Sequence, residues 1–491
     1  MLTSLQPTEL WKHFEDINAV PRPSKKEGRI IEFMLNFGRS LNLETFQDEI
    51  GNVIIKKSAS PGMENRQTVI LQSHLDMVHQ KNESTVFDFD NQGIEMFIDG
   101  DWVRAKGTTL GADNGIGVAA IMAVLSSSTI IHPAIEALFT IDEETGMTGA
   151  KELNGQLLSG TILLNLDTED DDELSIGCAG GIDTNTSYTY TQEPIRADFS
   201  GVKISLRGLV GGHSGMDIDK GRGNANKWMV RYLYHLQSLI EFQLVSFDGG
   251  SLRNAIPREA TAVIAIHRDE MKTVQMELEK MSSILNDEFK HIEPEFQFSF
   301  EEIEVSDEKS VTKAETERIL NVIYAIPNGV YRMSPAIPGL VETSSSLAKV
   351  EIRNGEFTTQ SLQRSSVESS KEDIAHTIKA SFEVIGARVF QGGDYPGWSP
   401  NNQSPILNQM AGIYREIFSA EPQIKACHAG LECGILLQHL PNVDMISFGP
   451  NIRGAHSPDE CVQISSVQKF WKFYTETLKR IPETSPSHAT A

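Results

Sequence analysis

The first 190 residues of this chain alternate short apolar runs of strand type with runs of helical spacing, and this alternation restricts the fold more than any other feature. Four runs have the composition of buried strands: 68–71, 135–141, 161–166 and, far downstream, 443–448. Residues 111–126 combine a glycine-rich turn with an apolar helix. The pattern predicts an α/β domain in which helices flank a mixed sheet.

The pattern changes after about residue 190. Two strand-like runs, 201–206 and 260–266, alternate with two amphipathic helical runs, 224–240 and 272–289. This alternation predicts a separate α+β domain. The charged stretch 301–317 is expected to form solvated loop and helix surface.

The last part of the chain returns to the first pattern. Amphipathic helical runs at 407–418 and 466–480 flank the last predicted strand. We therefore expect residues 1–190 and 396–491 to form one catalytic domain. Residues 191–395 are then inserted into it as an α+β lid domain.

Charge and composition exclude several classes of partner. The formal net charge is −24, from 67 acidic and 43 basic residues. Such a charge repels phosphate backbones and anionic membrane surfaces, so neither a nucleic-acid nor a membrane partner is expected. The longest apolar stretch, 116–125, is too short to span a bilayer, and no signal peptide is recognisable. The four cysteines have no zinc-ribbon or redox spacing, and a cytoplasmic protein is predicted.

Histidine and carboxylate side chains cluster where the predicted strands end or the apolar helix begins. The segments are 72–76, 111–115, 142–146, 165–167 and 454–458. They contain His74, Asp76, Asp113, Glu143, Glu144, Asp167 and His456. Ligands of open α/β sheets bind at the carboxyl ends of the strands, so the five segments are expected to converge on one crevice.

Imidazole and carboxylate groups without a thiol are typical of a hydrolytic site for zinc, manganese or cobalt. Two divalent cations would be neutralised by Asp113, Glu144, Asp167 and one hydroxide ion, which leaves Glu143 free to accept a proton. Taken singly, a histidine near an aspartate is usually a satisfied pair, and adjacent glutamates are usually solvated. Their coincidence at strand and helix ends favours the metal site.

The motifs, taken in order, resemble a known family. They are His-Leu-Asp at 74–76, Gly-Ala-Asp-Asn-Gly at 111–115, Asp-Glu-Glu-Thr-Gly at 142–146, Asn-Leu-Asp at 165–167, Gly-Gly-His-Ser-Gly at 211–215 and His-Ser-Pro-Asp-Glu at 456–460. This set resembles the zinc metallopeptidases that include glutamate carboxypeptidase, aminoacylase and peptidase T. Within that family the chain is similar to the bacterial aminoacyl-histidine dipeptidases (peptidase D). The resemblance extends over nearly the whole chain and includes Pro-Arg-Pro-Ser at 21–24 and His-Ala-Gly-Leu-Glu-Cys-Gly at 428–434.

The resemblance implies a site for two divalent metal ions, zinc in the first place, with manganese or cobalt as alternatives. Asp113 would bridge the two ions and be followed by a cis peptide bond. His74 and Asp167 would complete one metal site, and Glu144 and His456 the other.

The resemblance also implies roles for residues that do not bind the metals. Glu143 would act as the general base, and Asp76 would orient His74 from behind. His213 would help to stabilise the oxyanion, delivered from the partner subunit of a homodimer. Asn254 and Arg364 would bind the substrate, with Arg364 holding the carboxylate of the peptide.

The function expected from these residues is dinuclear zinc-dependent hydrolysis of dipeptides, above all Xaa-His dipeptides including β-alanyl-histidine. Two alternatives remain open at this point. The same scaffold can serve a tripeptidase or an amino-acid deacylase, and an inactive family member can serve as a binding scaffold. The predicted lid is about twice as long as that of the simpler carboxypeptidases of this family, which puts a copy of their compact dimer interface in doubt.

Overall fold

The computed structural model describes residues 2–305 and 308–484. Within these residues the chain divides into two compact units. Among the described residues, the first unit comprises 2–177, 400–426 and 431–484, and the second comprises those of 178–399 together with 427–430. Every helix in the described part of the chain is too short or too polar to cross a lipid bilayer.

The first unit is built on a mixed sheet, with eight strands in the described residues. In spatial order the strands are Glu44–Gln47, Val53–Lys57, Ile135–Thr140, Val69–His74, Ile162–Asn165, Asp444–Ser447, Glu173–Cys178 and Gln423–Cys427. The four strands from Ile135–Thr140 to Asp444–Ser447 run parallel to one another. Because parallel strands have their carboxyl ends at the same edge, the residues that follow these strands come together.

Helices cover this sheet. They are Thr8–Asn18, Gly28–Ser40, Ala112–Ser126, Thr148–Lys151, Pro405–Phe418, Glu432–His439 and Ile464–Lys479. Ala112–Ser126 is buried along nearly its whole length and contacts both Thr8–Asn18 and Val69–His74. A helix that is apolar on every side is stable only inside a core, and this one fixes the segment that precedes it.

A small antiparallel sheet orders the late segment of the first unit. Its strands are Ile452–Arg453, Cys461–Gln463, Trp102–Ala105 and Met96–Asp99, in that order. Residues 454–460 form the connection between the first two of these strands. Both ends of that connection are therefore held by backbone hydrogen bonds.

The second unit contains a larger antiparallel sheet. Its strands, in order, are Gln297–Ile303, Phe199–Arg207, Ala260–His267, Phe242–Gly249, Val341–Arg353, Glu356–Ser365, Gly180–Thr189 and Arg388–Tyr395, and Gly329–Met333 also pairs with Val341–Arg353. Short ladders pair Gly212–His213 with Ala255–Ile256 and Gln192–Pro194 with Lys309–Val311. The helices are Ala225–Leu236, Met271–Phe289, Lys313–Ala325 and Glu368–Glu383. Apolar side chains from this sheet and these helices form one core.

The unit bounds differ from the expected domain bounds of 190 and 395. The second unit begins at Cys178, because Gly180–Thr189 pairs with Glu356–Ser365 and Arg388–Tyr395 and so belongs to the antiparallel sheet. It also takes in Cys427–Gly430, where the carbonyl groups of Cys427 and Ala429 accept hydrogen bonds from Ala179 N. Pairing between distant segments set these bounds.

The charged stretch 301–317 was expected to be loop and helix surface. The structure contains more strand there than expected: Gln297–Ile303 pairs with Phe199–Arg207, and Lys309–Val311 pairs with Gln192–Pro194. The expected helix surface is present from Lys313 onward. Gln297–Ile303 is the edge strand of its sheet, where charged side chains remain solvated. Its charged residues therefore resembled those of a surface loop or helix, and the strand was not predicted. Residues 306 and 307 of this stretch lie outside the described residues.

Candidate functional site

His74 is the last residue of the strand Val69–His74 and is only 1% exposed. Its Nε2 atom lies 3.1 Å from Asp113 Oδ1 and 3.5 Å from Asp167 Oδ1. On the other side of the ring, Nδ1 lies 3.4 Å from Asp76 Oδ1. A carboxylate therefore holds the imidazole from behind, and its free nitrogen is directed at two further carboxylates.

Asp113 lies between two imidazoles. Its Oδ1 atom is next to His74, and its Oδ2 atom lies 3.2 Å from His456 Nε2. The same nitrogen of His456 lies 3.0 Å from Glu144 Oε2. The peptide bond from Asp113 to Asn114 is cis. With one oxygen towards each histidine, Asp113 has the arrangement of a carboxylate that bridges two cations.

The donor set fits divalent metal ions. His74, Asp113 and Glu144 each offer a ligand atom, and these atoms lie within 4.8 Å of one another. The Oε1 atom of Glu144 is buried and has no hydrogen-bond partner among the described residues, so it has a free coordination position. Nitrogen and oxygen donors without a thiol suit zinc, cobalt or manganese in a hydrolytic site.

The closely spaced carboxylates of this cluster make a positive charge between them favourable. Burial raises the pKa of Asp167 to about 6, and the positive charge of His74 opposes this rise. Hydrogen bonds to Asp113 and Glu144 raise the pKa of His456 to about 11. Both shifts favour the more positive form of the group, and cations bound between these side chains are favoured for the same reason.

Asp76 is completely buried behind the cluster. Besides its contact with His74, it accepts hydrogen bonds from Glu143 N at 3.0 Å, from Glu144 N at 3.3 Å and from Ser24 Oγ at 2.8 Å. Burial opposes its ionisation, but the contact with His74 and these hydrogen bonds lower its pKa below the ordinary value. One ionised carboxylate thus positions a histidine and the turn that carries Glu143 and Glu144.

Glu143 differs from its neighbour Glu144. Its backbone N–H donates to Asp76, but its carboxylate makes no hydrogen bond or ion pair with the described residues. Burial raises its pKa well above the ordinary value; the charge of His74 opposes the increase, and the charges of Asp167 and Glu144 add to it. A carboxyl group with raised proton affinity beside these candidate metal ligands has the properties expected of a general base.

His213 lies in the second unit, in the short ladder between Gly212–His213 and Ala255–Ile256. Its Nδ1 atom accepts hydrogen bonds from Gly215 N at 3.2 Å and Met216 N at 3.0 Å. The proton of the neutral ring is therefore on Nε2. Burial and then the charge of Arg364 lower the pKa of His213 to about 4, so the ring is a neutral hydrogen-bond donor at pH 7.

Arg364 is only 4% exposed, and within the described residues it has no carboxylate partner. It donates from Nη1 to Tyr395 Oη at 2.8 Å, its Nη2 atom lies 3.5 Å from His213 Nε2, and its buried Nε atom has no partner. A buried guanidinium group without a counter-ion is costly, which favours an anionic ligand at this position. Asn254 is exposed, and its carbonyl group accepts a hydrogen bond from the backbone N–H of Ser214, the residue after His213.

Reasoning from sequence gave no role to three buried charged residues, Arg22, Glu432 and Glu460. Each occurs in one of the motifs that carry the family resemblance. The sequence therefore contained a signal for these residues, but it did not show which groups they contact. Glu432 accepts hydrogen bonds through Oε2 from Gln72 Nε2 at 2.6 Å and Thr140 Oγ1 at 2.7 Å, which links two neighbouring parallel strands. Burial raises its pKa from 4.5 to about 7.

Comparison with known proteins gives consistent results for the family. The model of peptidase family M20/M25/M40 matches residues 70–480. The chain is 40% identical over 481 residues to the cytosol non-specific dipeptidase of Escherichia coli, covering 98% of this chain and 99% of that protein.

Solved structures agree. The aminoacylhistidine dipeptidase of Vibrio alginolyticus superposes with a TM-score of 0.92 at 42% identity, over 99% of both chains. Aminopeptidase PepT of Bacillus cereus shares the fold, with a TM-score of 0.56 at 15% identity over 97% of this chain and 99% of that chain. The chain therefore belongs to peptidase family M20/M25/M40 and is a metallopeptidase.

Proposed function

We propose that this protein is a dipeptidase that uses two divalent metal ions, in the first place zinc, to hydrolyse the peptide bond of Xaa-His and other dipeptides. The observation that carries the proposal is the position of Asp113, whose two carboxylate oxygens each face a different histidine, His74 and His456. Asp167 would join His74 at one ion, and Glu144 would join His456 at the other.

The metal ions and the protein supply different parts of the reaction. When bound, two divalent cations polarise a scissile carbonyl group and lower the pKa of water. The chain supplies the proton acceptor: Glu143 takes a proton from the attacking water and returns it to the leaving amine. Asp76 keeps Glu143 in place by accepting its backbone hydrogen bond.

Three residues of the second unit are proposed to act on the substrate. The neutral ring of His213 has its Nε2 proton free to donate to the oxyanion that forms in the transition state. The buried guanidinium group of Arg364 has no carboxylate partner among the described residues and its Nε atom has no hydrogen-bond partner there, which supports binding of the C-terminal carboxylate of a peptide. Asn254 is proposed as a further polar contact to the substrate.

The substrate class is supported by the relatives. The Escherichia coli relative is named as a non-specific dipeptidase, and the Vibrio structure as an aminoacylhistidine dipeptidase. At about 40% identity over both full lengths, a shared substrate class is the simplest proposal. β-Alanyl-histidine is included among the proposed substrates. We also propose a cytoplasmic location, in line with the name of the Escherichia coli relative, and a homodimer.

A panel of substrates on the purified protein tests the proposal. The panel contains Xaa-His and Xaa-Leu dipeptides, β-alanyl-histidine, tripeptides and N-acetyl amino acids, with metal content measured by plasma emission on the same sample. Two equivalents of metal and fastest cleavage of dipeptides are expected. Faster cleavage of tripeptides or acetylated amino acids would instead identify the activity as that of a tripeptidase or a deacylase. Bound metal without turnover of any substrate would favour an inactive scaffold.

A further inference from the structure

Glu460 makes an unusual set of hydrogen bonds. Its carboxylate is buried and accepts from four successive backbone N–H groups. Oε2 accepts from Leu110 N at 2.7 Å and Gly111 N at 2.9 Å, and Oε1 accepts from Ala112 N at 2.7 Å and Asp113 N at 3.1 Å. All these donors precede or belong to the proposed bridging ligand, so one side chain determines the path of the backbone into Asp113.

The position of Glu460 in the chain connects two ligands. Glu460 follows His456 in the connection between Ile452–Arg453 and Cys461–Gln463, and the second of these strands begins directly after it. That strand pairs with Trp102–Ala105, so the backbone at Glu460 is held in place. The carboxylate therefore joins the segment that carries His456 to the segment that carries Asp113, although the two ligands are 343 positions apart in the sequence.

Arg22 holds the same turn from the other side. The carbonyl of Gly111 accepts from Arg22 Nη2 at 2.5 Å, while Gly111 N donates to Glu460. Arg22 Nη1 also donates to the carbonyl groups of Leu75 and Asp76, at 3.0 Å each. Arg22 thus links the turn before Asp113 to the residues that follow His74.

Gly111 makes this arrangement sterically feasible. Its φ is +70°, a conformation that L side chains rarely adopt. A Cβ atom at this position would lie 2.5 Å from Arg22 Nη2 and 2.8 Å from the sulfur of Met77. The turn can therefore approach the guanidinium group only without a side chain.

We propose that Glu460 is a positioning residue which, together with Arg22, holds Asp113 at a fixed distance from both His74 and His456 for the binding of two metal ions. The inference rests on the proposed metal site and goes beyond it, since neither residue is a proposed metal ligand. Its physical basis is the cost of leaving four N–H groups without an acceptor in a buried turn. Removing the acceptor would let the turn rearrange and move the bridging carboxylate.

Glu460→Gln tests the proposal in the full-length protein. The amide is close in size to the carboxylate but turns two N–H donors towards two of the four backbone donors. Glu136→Gln is the matched control, because Glu136 is also buried in the first unit and accepts from Ser159 N and Gly160 N, at the opposite end of its strand from Glu143. Metal-free protein is titrated with Zn²⁺ against a chromophoric chelator and with Co²⁺ by visible absorption.

We expect Glu460→Gln to bind at least one equivalent of Zn²⁺ about 10- to 100-fold more weakly than wild type, with a changed Co²⁺ spectrum. Glu136→Gln should bind like wild type even if it is less stable. At saturating metal, kcat of Glu460→Gln should fall with little change in KM, because the buried carboxylate of Glu460 is proposed to act through Asp113 and not on the substrate.

Two equivalents bound by Glu460→Gln with wild-type affinity and spectrum would overturn the proposal. If that variant fails to fold by circular dichroism, Glu460→Asp decides, because it keeps the charge but is too short to reach all four N–H groups. Weaker metal binding by Glu460→Asp supports the positioning role, and wild-type binding overturns it. Wild-type protein that binds fewer than two equivalents would instead refute the proposed dinuclear site.

Discussion

Replacement of Glu143 by glutamine separates the proposed base from the proposed ligands. The carboxylate of Glu143 makes no hydrogen bond or ion pair with a described residue, so the substitution breaks no hydrogen bond among the described residues. Its backbone N–H still donates to Asp76. Because burial raises the pKa of Glu143, the neutral amide also removes the cost of ionising a buried group. Folding and metal binding should therefore be kept.

The size of the expected loss of activity follows from the proposed role of Glu143 as the general base. A positioned general base contributes about 10²- to 10⁴-fold to the rate. Since each factor of ten corresponds to about 1.4 kcal/mol, Glu143→Gln should raise the activation barrier by about 3 to 5 kcal/mol. The change should appear in kcat, with KM for the dipeptide nearly unchanged.

The assay measures kcat and KM on a dipeptide, bound metal by plasma emission and the melting temperature on the same preparations. Glu144→Gln is the contrast, because Glu144 Oε2 lies 3.0 Å from His456 Nε2 and its other oxygen is buried without a partner. It should lose about one equivalent of metal. Glu83→Gln, at an exposed position, should match wild type in all three measurements.

Two results would refute this reasoning. Metal-free Glu143→Gln protein would make Glu143 a ligand and not the base. Full metal content together with a kcat within a few-fold of wild type would show that another group accepts the proton. Either result would refute the role of Glu143 as the base, even if Glu144→Gln loses metal as expected.

Other predictions concern the second unit and the buried carboxylate Glu432. Arg364→Ala should raise KM about 10- to 100-fold for dipeptides but not for their C-terminal amides, and equal effects on both would exclude a role in carboxylate binding. His213→Ala should lower kcat about 100-fold or more at full metal content, and mixing it with Glu143→Gln should restore partial activity if His213 acts across a dimer; an unchanged kcat would leave His213 a turn residue. The raised pKa of Glu432 means that its contribution to stability is complete below pH 4.5 and is lost as the pH rises through about 7. The free energy of unfolding of metal-free Glu432→Gln should therefore exceed that of metal-free wild type by up to about 3 kcal/mol at pH 8 and by little at pH 4.5, as measured by thermal unfolding. An equal difference at both pH values would contradict the ionisation of a buried Glu432.

The sequence by itself determined the local part of this protein. The apolar runs before His74, Glu143 and Asp167 are buried strands, and Ala112–Ser126 is the apolar helix that its composition predicts. Strand and helix periodicity is a property of neighbouring residues, so it can be seen without knowledge of the fold. The candidate ligands could be selected because charged groups directly after buried strands need a compensating partner.

Only the tertiary structure decided how the distant segments are held together. His456 reaches Asp113 because Asp444–Ser447 lies parallel to Ile162–Asn165, and Glu460 reaches the same turn because Cys461–Gln463 pairs with Trp102–Ala105. The strand within the charged stretch 301–317 and the start of the second unit at Cys178 were likewise set by pairing with remote strands. Such pairing depends on the burial of whole faces and on backbone hydrogen bonds between segments hundreds of residues apart, and local sequence does not contain that information.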